Sequence, residues 1–261
     1  MRELTDTELD RYQRQIILPD IGGRGQTLLA NAHVLVIGAG GIGCPALAYL
    51  AAGGIGRITI YDDDVVEDSN LQRQILFGDS DIGMPKAECA AKHLQQLHPE
   101  TKIIHYNKKF TAQHGWNEKK LPDVLIDGTD SFASRLSIND WAVASRVPLV
   151  SAAIGQFQGQ LGVFRGYLPD QPCYRCFVGD AFDSDDCDTC AENGVLGAMV
   201  GMIGCMAAVE AVRVITGFGT RPANSLQVVD GRTMAMRSIT LHPDPDCRTC
   251  GQPCDANENT G

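Results

Sequence analysis

The chain has 261 residues, 44% of them hydrophobic, enough for one large α/β domain or one domain with a smaller appendage. Its formal net charge of −10 argues against a general binder of nucleic acid or anionic membrane, because both need a net basic face. The opening "MRELTDTELDRYQRQ" is charged and lacks an apolar core, so no secretory leader is expected and a cytoplasmic protein is.

In chain order, Thr5 and Glu8 have capping-box spacing and predict a first helix leading into "RYQRQIIL". Residues 34–37 read as a buried strand. Gly38, Gly40 and Gly43 then satisfy G-x-G-x-x-G, and a helix follows over 42–52. A second strand, 57–61, ends at Asp62, an acid placed to accept hydrogen bonds from ribose hydroxyls. Asp63 and Asp64 read as loop acids that face solvent or cap a turn. A helix over 85–97, strands 102–106 and 123–127, a helix 131–145 and a strand 148–152 continue the alternation. The order predicts a doubly wound, mostly parallel sheet.

From Gln156 the texture changes. "QGQLGVF", "SLQVVDG" and "MAMRSITL" predict antiparallel strands that extend the sheet, with an apolar helix over 194–216 among them. Residues 194–212 are long enough to cross a membrane, but Glu210 and glycines 194, 197, 201 and 204 favour a close-packed buried helix. The acidic loop 179–190 and the tail after Cys254 read as mobile.

Ligands of such sheets sit beyond the C-terminal strand ends, and Gly38–Gly43, Asp62–Asp64, Asp127–Asp130 and Ser151 share that rim. Pro85 fits the first helical position, which puts Lys86 in the first turn. A cation there opposes the helix dipole by about 0.3–1 kcal/mol and is better placed with an anion nearby. With Asn70 and Arg73 in the preceding loop, an amide, a guanidinium and an ammonium can surround a chain of phosphates. Such a cation set suits ATP better than NAD, and no His–Asp or Tyr–Lys pair for hydride chemistry stands out. Asp130 can hold Mg²⁺ directly or through water.

Ten cysteines without a leader point to metal binding or chemistry rather than structural disulfides. Cys173/Cys176, Cys187/Cys190 and Cys247/Cys250 are C-x-x-C pairs, and any two of them make a Cys₄ zinc site. The middle pair lies in the acidic loop and suits accessible thiols or a disulfide. Cys44, Cys89 and Cys205 read as small core residues, Cys254 as a spare thiol or an accidental fifth ligand candidate, and most of the histidines as surface or helix-end residues, none with a function.

The segments "RYQRQIILPDIG", "VLVIGAGGIGCPALAYLAAGGIG", "DDDVVEDSNLQRQILF", "IGMPK", "DGTD", "PCYRC", "TCAENGVLGAMVGMIGCMAAVEAV" and "DCRTCG" together resemble the ThiF/MoeB/HesA adenylyltransferases, bacterial relatives of the ubiquitin-activating enzymes. The resemblance runs from about residue 8 to 251. It implies one adenylyltransferase domain over 1–251, with a helical arm 5–30, a nucleotide-binding half 31–153, a carrier-binding and zinc half 154–251, and a flexible tail 252–261.

It also implies a homodimer that binds Mg·ATP and the C-terminal Gly-Gly tail of a small ubiquitin-like sulfur carrier. By motif match, Gly41 contacts the nucleotide, Asp62 its ribose, and Asn70, Arg73 and Lys86 its phosphates. Asp130 lies near the magnesium, and Arg14 reaches the partner subunit's ATP. Cys173, Cys176, Cys247 and Cys250 hold zinc, and Cys190 matches a loop cysteine that takes part in sulfur transfer or shields the adenylate. Cys187 departs from the family pattern, which leaves a Cys187–Cys190 redox pair open. The implied product is a carrier acyl adenylate with release of pyrophosphate, after which sulfur displaces AMP. No appended rhodanese-like domain is expected after Cys254, and a separate sulfur-donor protein is.

"DDDVV", "LQRQILF" and "VVDGRTM" lean toward a thiamin-pathway carrier over a molybdopterin-pathway one. Rival readings are adenylylation of another peptide or small carboxylate, a nicotinamide oxidoreductase with a zinc knuckle, and an inactive binding module.

Overall fold

The computed structural model describes residues 2–111, 116, 120–180, 194–219 and 224–251. The expected tail 252–261, the spare thiol Cys254 and the middle pair Cys187/Cys190 lie outside the described residues.

Two helices precede the sheet, α1 (Asp6–Ile16) and α2 (Gly22–Asn31). The capping box closes as expected. The Thr5 hydroxyl accepts from the Glu8 N–H, and the Glu8 carboxylate accepts from the Thr5 N–H at 2.9 Å. Arg2 adds a bidentate pair onto Glu8, at 2.8 and 2.6 Å, and its backbone N–H donates to Asn31 at the end of α2. The start of the chain is thus tied to both helices of the arm.

An alternating segment follows: β1 (His33–Ile37), α3 (Gly43–Ala52), β2 (Arg57–Tyr61), α4 (Lys86–Leu97), β3 (Lys102–Tyr106), β4 (Val124–Asp127), α5 (Phe132–Ser145) and β5 (Leu149–Gly155). Then come β6 (Gln158–Phe164), a short α6 (Tyr174–Val178) that was not expected, α7 (Gly197–Thr216), β7 (Ser225–Asp230) and β8 (Ala235–Thr240). The eight strands form one sheet in the order β3-β2-β1-β4-β5-β6-β7-β8. The pairs from β3 to β5 are parallel, and those from β5 to β8 are antiparallel. Strand order reverses between β1 and β4, which opens a crevice at their C-terminal ends.

Every residue of β1 is buried, as a strand covered on both faces requires. Successive residues face opposite cores. Val34 and Val36 join Ile58, Ile60 and residues of α3, α4 and α7, while Leu35 and Ile37 join Tyr61, Leu125 and the α5 residues Leu136 and Trp141.

Helix α7 is the one described helix long and apolar enough to cross a membrane, but it packs on α3 and the sheet and buries Met199, Val200, Ile203 and Ala207. A methyl on Gly204 would run into the Ile42 carbonyl oxygen, which explains a small residue there. A methyl on Gly201 would meet nothing within 4 Å, so close packing does not account for that glycine. Cys44 and Cys89 are core residues as expected. Cys205, on the partly open side of α7, is not. His33 is a buried histidine, at the start of β1 and bonded to Thr59 at 2.9 Å.

Candidate nucleotide site and cysteine centre

The turn from β1 to α3 lies at the crevice. Gly38 takes a left-handed φ of +91°, and its N–H donates to the Tyr61 carbonyl at 2.8 Å, which ties the turn to the end of β2. A side chain on Gly41 would collide with Cγ1 of Val200 on α7. The turn is thus held against the core helix, while Gly40 and Gly41 remain partly exposed.

Asp62 is 9% exposed and braces that turn. Its Oδ2 accepts from the Ala39 N–H at 2.7 Å and its Oδ1 from the Asp64 N–H at 2.9 Å. Burial pushes its pKa up, opposed by those two N–H groups and by the charge of Lys86. Each carboxylate oxygen still has a lone pair to offer a hydroxyl.

Lys86 is the first residue of α4, with Pro85 as its N-cap, one position earlier than expected for the proline. Its side chain is 8% exposed, and Nζ lies 2.9 Å from Oδ2 of Asp64, which is 69% exposed. Asp64 therefore faces solvent as the sequence suggests, yet it is also the counter-ion of a buried ammonium. That pairing is invisible in sequence.

Between β2 and α4, a 3₁₀ turn (Asp68–Asn70) and the residues after it carry Asn70, Arg73 and Gln74. Asn70 is buried and its Oδ1 lacks a partner. Arg73 donates to the Ser69 carbonyl at 2.9 Å, and its Cγ lies 3.6 Å from where a Gly41 Cβ would stand. Gln74 drew no functional reading from the sequence. Its four-residue spacing from Asn70 was the available signal.

At the end of β4, Asp127 is fully buried. It accepts from the Thr129 N–H at 3.0 Å, the Thr129 hydroxyl at 2.7 Å and the Ser151 hydroxyl at 3.4 Å. Burial pushes its pKa up, with Arg135 and those hydrogen bonds pulling the other way. Arg135 also donates to the Thr129 carbonyl. This turn touches the glycine turn: a Cβ on Gly38 would lie 3.1 Å from the Gly128 carbonyl. Asp130, next along, is exposed.

Arg14 does not join this rim. It is exposed on the last turn of α1, and its neighbour Gln15 donates to the Gly53 carbonyl at 3.1 Å. Gly53 caps the C-terminal end of α3, roughly 15 Å along that ten-residue helix from the glycine turn.

Cys173 and Cys176 flank the start of α6, and Cys247 and Cys250 lie beyond β8, so two knuckles meet. The sulfurs are 3.9 Å apart for Cys173–Cys176, 3.7 Å for Cys173–Cys247 and 3.3 Å for Cys176–Cys250, and all four lie within 4.8 Å of one another. Tetrahedral zinc with Zn–S near 2.3 Å sets sulfurs about 3.8 Å apart, so the cage fits that ion. Asn139 on α5, fully buried, turns its amide toward Cys173 Sγ at 3.6 Å and accepts from the Tyr174 N–H at 2.8 Å. The Asp244 N–H points at Cys176 Sγ from 3.4 Å. The hydrogen bond between the first pair lowers Cys176 to about 5 and pushes Cys173 up. Arg175 bonds Thr249 at 2.8 Å and Asp140 at 3.2 Å, and so joins both knuckles to α5.

The ThiF family signature matches residues 12–249. The chain belongs to the ThiF family. The sulfur carrier protein adenylyltransferase of Thermus thermophilus is 40% identical over 250 residues, 95% of this chain and 92% of that protein. The SAMP-activating enzyme E1 of Haloferax volcanii is 39% identical over 249 residues, 95% of this chain and 91% of its own length. Among solved structures, E. coli MccB with ATP matches with a TM-score of 0.78 at 22% identity, over 95% of this chain and 75% of that one, a likeness of fold. As a ThiF-family protein, the chain is an adenylyltransferase. The expected parallel sheet with antiparallel extension is present and is the fold of the solved neighbours, and this chain carries the expected cysteine cluster.

Proposed function

We propose that this ThiF-family protein adenylylates the C-terminal glycine of a small ubiquitin-like sulfur carrier, of the thiamin or molybdopterin type, at the expense of ATP. The reading is supported by Asp62 and Arg73 lying against one glycine turn, with Lys86 on neighbouring Asp64, Asn70 on the same loop as Arg73, and Asp130 on the adjoining turn. The names of the two near-full-length relatives support the choice of substrate.

The chemistry follows from charge. A C-terminal carboxylate is already an anionic nucleophile, so attack on the α-phosphate needs no general base, and no histidine on the rim is required. The barrier is the approach of an anion to a polyanion. Asn70 and Arg73 take phosphate oxygens, and Lys86 exchanges its Asp64 partner for a phosphate, so charge that builds during transfer is neutralised. Asp62 holds the ribose. Asp130 would hold Mg²⁺, which when bound would supply further charge neutralisation on the phosphates. Pyrophosphate leaves, and the carrier is retained as an acyl adenylate.

Arg14 serves a second copy of the chain in this reading, since it lies at the far end of α3 from its own glycine turn. The working unit is then a homodimer. The four-cysteine cage holds zinc as a structural ion, because four thiolates leave no open position for substrate. Cys190 carries or shields the activated carrier, and a separate donor protein provides sulfur.

Incubation with ATP, Mg²⁺ and each candidate carrier, followed by intact mass measurement, tests the substrate. The true carrier gains one AMP, or has one carboxylate oxygen replaced by sulfur when a donor is present. If no carrier with a terminal Gly-Gly changes mass while ATP is bound, the substrate reading fails.

A further inference from the structure

Gln74 is 3% exposed, and its Oε1 is buried without a hydrogen-bond partner. Among the described residues its carboxamide bonds to nothing. Buried side-chain amides are normally satisfied, and one left bare needs a reason. A phosphate cannot fill the bare Oε1, itself an acceptor, but the NH₂ end of the same amide is also without a partner among the described residues, and its position gives it one. The Gln74 backbone N–H donates to the Asn70 carbonyl at 3.0 Å, so both side chains arise from one helical turn. Asn70 shares the anomaly: its Oδ1 is bare, and its Nδ2 has only a long 3.3 Å bond to Ser69.

The Gln74 amide nitrogen is the end that faces the glycine turn. It lies 3.9 Å from the place a Cβ on Gly40 would occupy, and nothing else comes within 4 Å of that place. A phosphate chain presents only acceptors, so of the two ends of a carboxamide only the NH₂ group can serve it. Next to the partly exposed backbone of Gly40 and Gly41 at a helix N-terminus, an unpartnered donor on a buried side chain is what an oligophosphate would meet.

We propose that Gln74 is a further phosphate-contacting residue, its Nε2 donating to the oligophosphate held against Gly40 and Gly41. The inference rests on the ATP reading given above and adds a residue to it. Among the polar groups of the Asn70–Gln74 turn, Gln74 is the more deeply buried carboxamide and carries no charge. It therefore orients the phosphate chain rather than attracting it.

Two substitutions of similar shape test this, with Mg·ATP affinity measured by calorimetry and melting temperature measured without nucleotide. Gln74→Met removes the donor and the bare amide together. Affinity should fall about tenfold, while the ligand-free protein melts at the same temperature or higher. Gln74→Glu sets a carboxylate against the phosphates, and affinity should fall at least a hundredfold. A purely structural glutamine would behave otherwise: Gln74→Met would lose ligand-free stability, and the two variants would bind alike. Variants within threefold of a wild type that binds Mg·ATP overturn this inference alone. A folded wild type that binds none overturns the ATP reading and this inference with it.

Discussion

The carboxylate of Asp127, closed off from solvent, accepts the Thr129 hydroxyl at 2.7 Å. With Arg135 on the Thr129 carbonyl, the peptide just before Asp130 is gripped from both sides. Asp127→Ala leaves the Thr129 donors bare and takes a counter-ion from Arg135. A loss of about 3 kcal/mol is expected, seen as a lower denaturant midpoint at constant slope. Asp127→Asn, which keeps an acceptor for Thr129, should lose less. Stability of the alanine variant within about 0.5 kcal/mol of wild type would contradict the grip.

The Lys86–Asp64 pair makes a separable claim. If the ammonium leaves Asp64 for phosphate, Asp64→Asn removes a competitor, and Mg·ATP should bind a few-fold tighter. A weakening instead would mean that Asp64 positions the lysine for its task and that no exchange of partners occurs.

Glu8 gives a pH signature. The hydrogen bond from Arg2 lowers its pKa to about 2 against the effect of burial, with the Thr5 N–H helping. A depressed carboxyl stabilises the fold above its unfolded pKa near 4.5, and that stability disappears as pH falls through about 2. Arg2 is 44% exposed, so solvent screens the pair, and about 1–2 kcal/mol is expected from it at neutral pH. Arg2→Ala should lose that amount at pH 7 and flatten the stability profile between pH 4.5 and 2. An unchanged profile would remove Arg2 as the cause.

The cysteine cage implies that purified protein carries about one zinc per chain, and that chelation lowers the melting temperature. Asn139→Ala removes the amide that faces Cys173 and should weaken zinc retention about 10–100-fold. Protein free of zinc and melting normally would refute the cage.

Much of this was legible in the sequence because the signals are local. Glycines at fixed spacing after an apolar run predict β1, its turn and α3. Thr5 and Glu8 predict their own cap, and C-x-x-C pairs predict two knuckles, with the choice among three pairs made by the family resemblance and the four sulfurs of the chosen two found together. What escaped depends on long-range contact. Asp64 reads as one more acid in "YDDD" until α4 brings Lys86 to it across 22 residues. Asp127 reads as a rim acid until Ser151 and Arg135 close around it. Gln74 reads as an ordinary polar residue of a loop, because burial without a partner is a property of the folded chain alone.

The most direct test is carrier-dependent exchange of labelled pyrophosphate into ATP, measured for wild type beside Lys86→Ala and Arg73→Ala. Exchange in the wild type that needs the carrier's terminal glycine, with at least a hundredfold loss in both variants, is the expected result, about 2.7 kcal/mol of transition-state stabilisation each. Near wild-type exchange in both variants, or none in a wild type that binds carrier and Mg·ATP, would contradict the account.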